Sequence, residues 1–267
     1  MKRIVAMLLF LLLSLSSVVL AEGIDFTQYS DDDLKSLRNQ IDAELKRRED
    51  SKLTPSSASD FKYVSNGKEI QINEYIGNGG NVVIPNEIDG LPVTRIGTYA
   101  FRNKNFVTGI VFPETLEYIG DYAFNDLDNL TGVLVIPKSV KRIGGHAFQS
   151  SGVTGVVILG DCYLDVNALC NLYELEFVYV ADGCSPHFSW ASINCYYYND
   201  CIVDVILPDT SLVIDRENFR NSNYARFYTP AGSNAAKFAN DNFIECNTSD
   251  YSDIAAEYSA QYVGIAD

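Results

Sequence analysis

Few side chains in this 267-residue chain have the type and spacing for chemistry. There are two histidines, His146 and His187, too few for a histidine-rich metal site. All six cysteines (Cys162, Cys170, Cys184, Cys195, Cys201 and Cys246) fall in the second half. Cys184 and His187 lie close together beside Trp190, and a thiolate nucleophile with an imidazole base is one reading of that group. A loop tied by disulfides is the simpler one. No glycine-rich phosphate loop, GxSxG elbow or paired-cysteine zinc motif occurs. The 35 acidic residues show no spacing that singles out a glycosidase pair. Asp31, Asp32 and Asp33 lack the interleaving and the distant glutamate of a calcium loop, and read as charges at a helix start. The expectation is a non-enzyme with no metal, no cofactor and no catalytic residue.

The cysteines take their meaning from the start of the chain. Residues 1–21 have the form of an export signal: Lys2 and Arg3, an apolar run from Met7 to Leu20, then small residues at Val19-Leu20-Ala21. The run is shorter than the roughly 20 apolar residues a membrane anchor needs, so cleavage is expected, with no stable membrane insertion afterwards. No cysteine follows Leu20-Ala21, which argues against a lipid-modified N-terminus. In an exported chain an even cysteine count suggests disulfides, each contributing about 2–4 kcal/mol. The expected pairs are a local one among Cys184, Cys195 and Cys201, and Cys162 with Cys170; the connectivity stays open. The formal charge is −15, and removal of Lys2 and Arg3 makes it about −17. Such a surface repels phosphate backbones, so nucleic acid is not an expected partner. It also keeps an exported protein soluble.

The element that must position everything else is a repeat. Three copies open on an apolar pair and a proline: Val83-Ile84-Pro85, Val111-Phe112-Pro113 and Val135-Ile136-Pro137. Each closes on one signature, IGTYAF (Ile96 to Phe101), IGDYAF (Ile119 to Phe124) and IGGHAF (Ile143 to Phe148). The closing phenylalanines are 23 and 24 residues apart. A fixed period of that size means a stacked solenoid, because one unit can bury its apolar residues only against its neighbours. Ile96, Phe101, Ile119, Phe124, Ile143 and Phe148 are the expected interior, with Phe219 in a later, weaker copy. Gly97, Gly120 and Gly144 are expected to permit a tight turn that a Cβ would crowd, and the alanine before each phenylalanine to let coils approach. His146 takes the slot of Tyr99 and Tyr122, a structural position on the coil surface.

The stretch VVIPNEIDGLPVTRIGTYAF, then VFPETLEYIGDYAF and VIPKSVKRIGGHAF, resembles the BspA-like leucine-rich-repeat family. The opening DFKYVSNGKEIQINEYIGNGGNVVIP is similar to the first unit of that family, and the likeness extends over about residues 61–245. The resemblance implies a secreted or surface-exposed binding protein, with members linked to adhesion.

The expected architecture is mainly β with short helices: a leucine-rich-repeat solenoid of about seven coils, capped by an N-terminal β-hairpin and preceded by an amphipathic helix. Its segments are an export signal at 1–21, the helix at 22–50, a linker at 51–60, the solenoid with its caps at 61–246 and an acidic tail at 247–267. Leu34, Leu37, Ile41 and Leu45 form the stripe of the helix. In the hairpin, Asn66-Gly67 is expected to make a two-residue turn with both φ positive. Ser233 caps a short helix to Asn240, Ile244-Glu245-Cys246 reads as an end strand, and Ile254, Tyr258 and Tyr262 share one helical face. Asn129-Leu130-Thr131 and Asn247-Thr248-Ser249 match the N-glycosylation acceptor, with Leu130 aligned to Phe106 and Val153 as an interior position.

Strand alternation then separates inside from outside. Ile110 and Phe112, Leu134 and Ile136, and Val157 and Leu159 are expected to point inward. The outward row is Val83, Val111, Val135, Ile158, Tyr179, Ile206 and Tyr228. An apolar row on an exposed sheet is either a binding face or a surface covered by the N-terminal helix or the tail. The reading that follows is a secreted or cell-surface recognition and adhesion protein that binds a protein partner through this row. A glycan-binding module using Trp190 and Tyr196 to Tyr198 is the alternative, and an extracellular hydrolase a lesser one.

Overall fold

A coil of two dozen residues has no interior of its own, and the architecture follows from how neighbouring coils supply one. The computed structural model describes residues 54–189, 203–208 and 225–262. The chain divides into two compact units, Met1–Thr54 and Pro55–Asp267, and the described residues belong almost wholly to the second. The export signal, the 22–50 helix, most of the linker, Phe219, Cys195 and Cys201 lie outside the described residues.

The fold is a mainly β solenoid of about seven turns, with two α-helices among the described residues. It opens with the hairpin β1 (Phe61–Ser65) and β2 (Ile70–Tyr75), paired antiparallel. Its loop is longer than expected. Ser65 pairs with Ile70, so four residues connect the strands, and only Gly67 has a positive φ, of 84°. The Asn66 side chain explains this, since its Oδ1 accepts the N–H groups of Lys68 and Glu69 and closes the loop locally.

One wall of the solenoid continues from the hairpin in parallel: β5 (Leu91–Ile96), β7 (Tyr118–Ile119), β9 (Arg142–Ile143), β11 (Tyr163–Leu164) and β13 (His187–Phe188), with β4 (Glu87–Ile88) folded back on β5. The other wall begins with β3 (Gly80–Val83) and β6 (Val107–Val111), a separate parallel pair. It continues as β8 (Gly132–Ile136), β10 (Val153–Ile158), β12 (Phe177–Val180), β14 (Val203–Ile206), β15 (Ala225–Tyr228) and β16 (Glu245–Asn247), all parallel. The last coil is closed by α1 (Asn234–Asp241), whose N-cap Ser233 accepts the Ala236 N–H at 3.0 Å. Beyond β16, α2 (Tyr251–Tyr262) forms from the tail.

Inside, side chains run in files along the stack. Ile72, Ile96, Ile119, Ile143, Leu164 and Phe188 occupy matched register positions on neighbouring strands, and all are buried. Phe101, Phe124 and Phe148 form a second file with ring centroids 4.8 and 5.1 Å apart, and Tyr75 of the hairpin stacks on its first ring at 5.0 Å. The backbone follows the same rule. Phe101 N–H donates to Ala123 O and Phe124 N–H to Ala147 O, each at 2.7 Å, so the turns are bonded coil to coil as the strands are.

The signature glycines stand where a Cβ would be crowded, as expected, and the crowding comes from a neighbouring coil. None of Gly97, Gly120 and Gly144 has a positive φ. A Cβ on Gly120 would lie 2.6 Å from the Thr98 nitrogen, and one on Gly144 2.6 Å from the Asp121 nitrogen. Glycine is there because the preceding coil's backbone is in contact. The left-handed position comes two residues later, at Tyr99, Tyr122, His146 and Asn167, with φ between 54° and 62°. Leu130 also aligns differently: its buried equivalents are Val107 and Val153, whereas Phe106 is 48% exposed. The cause is one residue more between Leu130 and Pro137 than between Val107 and Pro113; alongside, the β8–β10 pairing slips at Thr154, where Val153 faces Gly132 and Gly155 faces Val133.

Truncating the middle ring of the phenylalanine file removes contacts on both sides. Phe124→Ala is expected to cost about 3–5 kcal/mol, measurable as a lowered denaturation midpoint. A loss under about 1 kcal/mol would show that the file does not hold the coils together.

Candidate functional site

The groups that sequence reading brought closest to catalysis do not form a catalytic arrangement. His187 is exposed and stacks on Tyr163 at 4.6 Å, while its backbone N–H donates to Cys162 O. Burial, then Asp161 and Asp182, push the Cys184 thiol up, the wrong direction for a nucleophile. The structure brings a different pair together, Cys170 Sγ and His146 Nδ1, at 3.9 Å. Burial pushes Cys170 up to about 12, so it stays a thiol, and His146 is held flat on Tyr122 at 4.7 Å with Nδ1 2.9 Å from Gln149 Oε1. These are packing roles.

The expected disulfide between Cys162 and Cys170 is not formed; Cys162, Cys170, Cys184 and Cys246 are all free. One coil spreads the first two apart. Cys162 sits at the corner before β11, electrostatically coupled to Cys184 of the following coil, whereas Cys170 lies past the turn, against His146 of the preceding one. Trp190 and Tyr196 to Tyr198, the basis of the glycan reading, lie outside the described residues, as do Cys195 and Cys201.

The outward row of the second wall is where the structure departs most from the sequence reading. Strand register places Val83 against Val111, Val135 against Val157, Val157 against Tyr179, Tyr179 against Ile206 and Ile206 against Tyr228. Val157 therefore holds the rung assigned to Ile158. Ile158 points inward, between Ile136 and Val180, and is fully buried. Leu159 is half-buried on the outer side. The coil has no proline: Leu159 stands in the slot of Pro137, and counting it as a strand residue displaces the expected frame by one.

The corrected row has two environments. Val157, Tyr179, Ile206 and Tyr228 are buried in a second apolar cluster, because α2 lies across them with Ala255 and Tyr262 buried and Tyr251, Ile254 and Tyr258 packed alongside. The Tyr258 ring is 5.5 Å from Tyr179 and 4.8 Å from Phe177, whose own ring fills the space left by Gly155. The Tyr251 hydroxyl donates to Asp182 Oδ1 at 2.9 Å, and Arg226 clamps Asp204 with two 2.9 Å bonds beside the cluster. Four rungs are thus core, covered by the tail. The first three are not: Val111 is 43% exposed, and Val83 and Val135 are half-buried.

The first wall carries an outward row that sequence reading missed. Arg95, Tyr118, Arg142, Tyr163 and His187 occupy matched register positions. The Arg95 guanidinium lies 4.2 Å from the Tyr118 ring, and Arg142 lies 5.7 and 5.9 Å from Tyr118 and Tyr163. Arg142 is also bonded to Asp165. The signal was present as the residue preceding each buried isoleucine, leucine or phenylalanine of the file. Ring faces here are taken up by neighbouring rungs, so the row reads as lateral support for the stack.

Comparison with known proteins finds one repeat family and several partial structural likenesses. Residues 94–185 match the family described as "BspA type Leucine rich repeat region", in six copies. No curated protein matches the chain. Among solved structures, a leucine-rich repeat protein of T. pallidum is 25% identical over 49% of this chain and 87% of its own, with a TM-score of 0.32. A leucine-rich cell surface protein of Faecalibacterium prausnitzii is 19% identical over 66% of this chain, with a TM-score of 0.44. A leucine-rich repeat protein of Bacteroides ovatus is 16% identical over 66%, with a TM-score of 0.35. The chain spans 55% of the length of each of the last two. Among the described residues, no helix is long and apolar enough to cross a membrane.

Two measurements check the covered cluster and the thiols. Burial pushes the phenols of Tyr179, Tyr228 and Tyr258 above the ordinary tyrosine range. Below about pH 10 these phenols are neutral in folded and unfolded chain alike. Above it the unfolded chain ionises first, so stability falls as pH rises. Melting temperatures recorded from pH 7 to 11 are expected to decline above pH 10, less steeply for Tyr258→Phe. Cys162, like Cys170 pushed up to about 12 by burial, is expected to resist alkylation at neutral pH while Cys184 and Cys246 react, as timed alkylation with peptide mass mapping would show.

Proposed function

We propose, on the premise of the BspA-type leucine-rich repeats matched over residues 94–185, a non-enzymatic recognition protein, secreted or held at a cell surface, that binds a protein partner through the uncovered coils of its second wall. The observation that carries the reading is the change along one row of side chains. Four rungs are sealed under α2, and the three before them, Val83, Val111 and Val135, keep apolar surface in water. Fully burying one exposed valine contributes about 1.5 kcal/mol or more; these three are already partly covered, so a partner completing their burial gains about 2 kcal/mol in all before the costs of association. Export follows from the signal at residues 1–21, and the acidic charge disfavours anionic partners. The repeat family is consistent with protein binding or adhesion.

Paired substitutions separate a contact surface from a structural one. Val111→Asp is expected to leave the melting midpoint nearly unchanged and to abolish binding of the labelled mature chain to intact target cells. Val157→Asp, placing a charge under α2, is expected to collapse stability. Binding that survives Val111→Asp, or that protease treatment of the target cells leaves intact, would sink the protein-partner reading.

A further inference from the structure

The uncovered rungs are the continuation of a surface whose occupant is already visible. β8 pairs with β10 so that Val135 stands beside Val157 and Val133 beside Gly155. α2 covers the β10 side of this join, and Val133 and Val135 pack against the margin of the same cluster. What the surface accepts can therefore be read from α2. Its contact residues Tyr251, Ile254, Tyr258 and Tyr262 are spaced 3, 4 and 4, one face of a helix, with Ala255 fitting flush between them. Beyond α2 the outward residues are Val133 and Val135 on β8 and, on the separate pair β3–β6, Val83 beside Val111 and Asn81 beside Gly109, with no charged side chain among them. Gly109 presents no side chain, so the surface is low at that point of β6.

A strand is a poorer occupant than a helix. Beside β3, Ser56 already engages Val83, donating its N–H to Val83 O at 2.9 Å and accepting the Val83 N–H on Oγ at 3.2 Å. Pairing of an added strand along β3 would have to displace those bonds.

We propose that the open rungs dock an amphipathic helix of a partner protein, laid on the sheet next to α2. This rests on the recognition reading above and narrows the partner: an apolar stripe spaced 3-4-4, with Lys or Arg on its flanks to match a chain of formal charge −15. The stripe inserts over Val83, Val111 and Val135, and α2 stays in place.

The probe is a synthetic 16-residue helix with Tyr and Ile at the spacing of residues 251, 254, 258 and 262, alanine between them and lysine on the opposite face. A scrambled peptide of the same composition is the control. Calorimetry with the full mature chain is expected to give one site per chain, no site for the scrambled peptide, and at least about tenfold weaker binding for Val83→Asp and Val111→Asp. A photo-crosslinker on the peptide is expected to mark β3, β6 and β8. Crosslinks to Tyr179 or Ile206 would mean that the peptide replaces α2, and would overturn the proposal. So would binding unaffected by Val111→Asp, no saturable binding up to about 1 mM, or Val111-dependent self-association in ultracentrifugation, which would make a second copy the occupant. If the peptide fails while cell binding still depends on Val111, the helix proposal falls and the recognition reading stands.

Discussion

Each coil in this protein is the wall of the next, and the contact between successive coils carries the rest of the structure. It is made twice over, by backbone hydrogen bonds that run from turn to turn as well as strand to strand, and by side chains filed directly above one another. The two demands restrict sequence differently. Backbone contact excludes a side chain at Gly120 and Gly144, where the neighbouring chain is too close for a Cβ. Filing requires flat or branched apolar groups at equal height, which the phenylalanines and isoleucines supply.

That division explains what could be read from the sequence. The period, the interior files and the hairpin cap were legible because each repeats a residue type at a fixed offset. The outward row was legible only in part. Its rungs were numbered back from a proline, and where Leu159 replaces that proline the count put Ile158 outside and Val157 inside. The one extra residue between Leu130 and Pro137 likewise hid the equivalence of Val107, Leu130 and Val153. One inserted residue reverses the face of every side chain up to the next anchor.

The cover on the later coils was legible as a possibility and no more. Tyr251, Ile254, Tyr258 and Tyr262 announce an apolar helical face, but nothing in one sequence says which surface that face meets. The structure assigns it to the coils whose outward residues are Val157, Tyr179, Ile206 and Tyr228, with Phe177 set into the gap above Gly155. Over the first coils the outward residues are valines, and there the wall is left with apolar surface in solvent. The candidate site is thus defined by where the cover stops. The first wall's alternating arginine and tyrosine row shows the opposite case, an outward row whose members satisfy one another.

In a linear stack, nearest-neighbour contacts alone would let one coil fray without the rest. α2 breaks that independence, since it touches side chains of β10, β12, β14 and β15 at once. Releasing any of those strands means first lifting a splint shared by all four, so they behave as a single cooperative block while the coils ahead of them keep their separate opening equilibria. The later strands are therefore tied to one another in a way the earlier ones are not, and the proposed contact surface belongs to the coils without that tie.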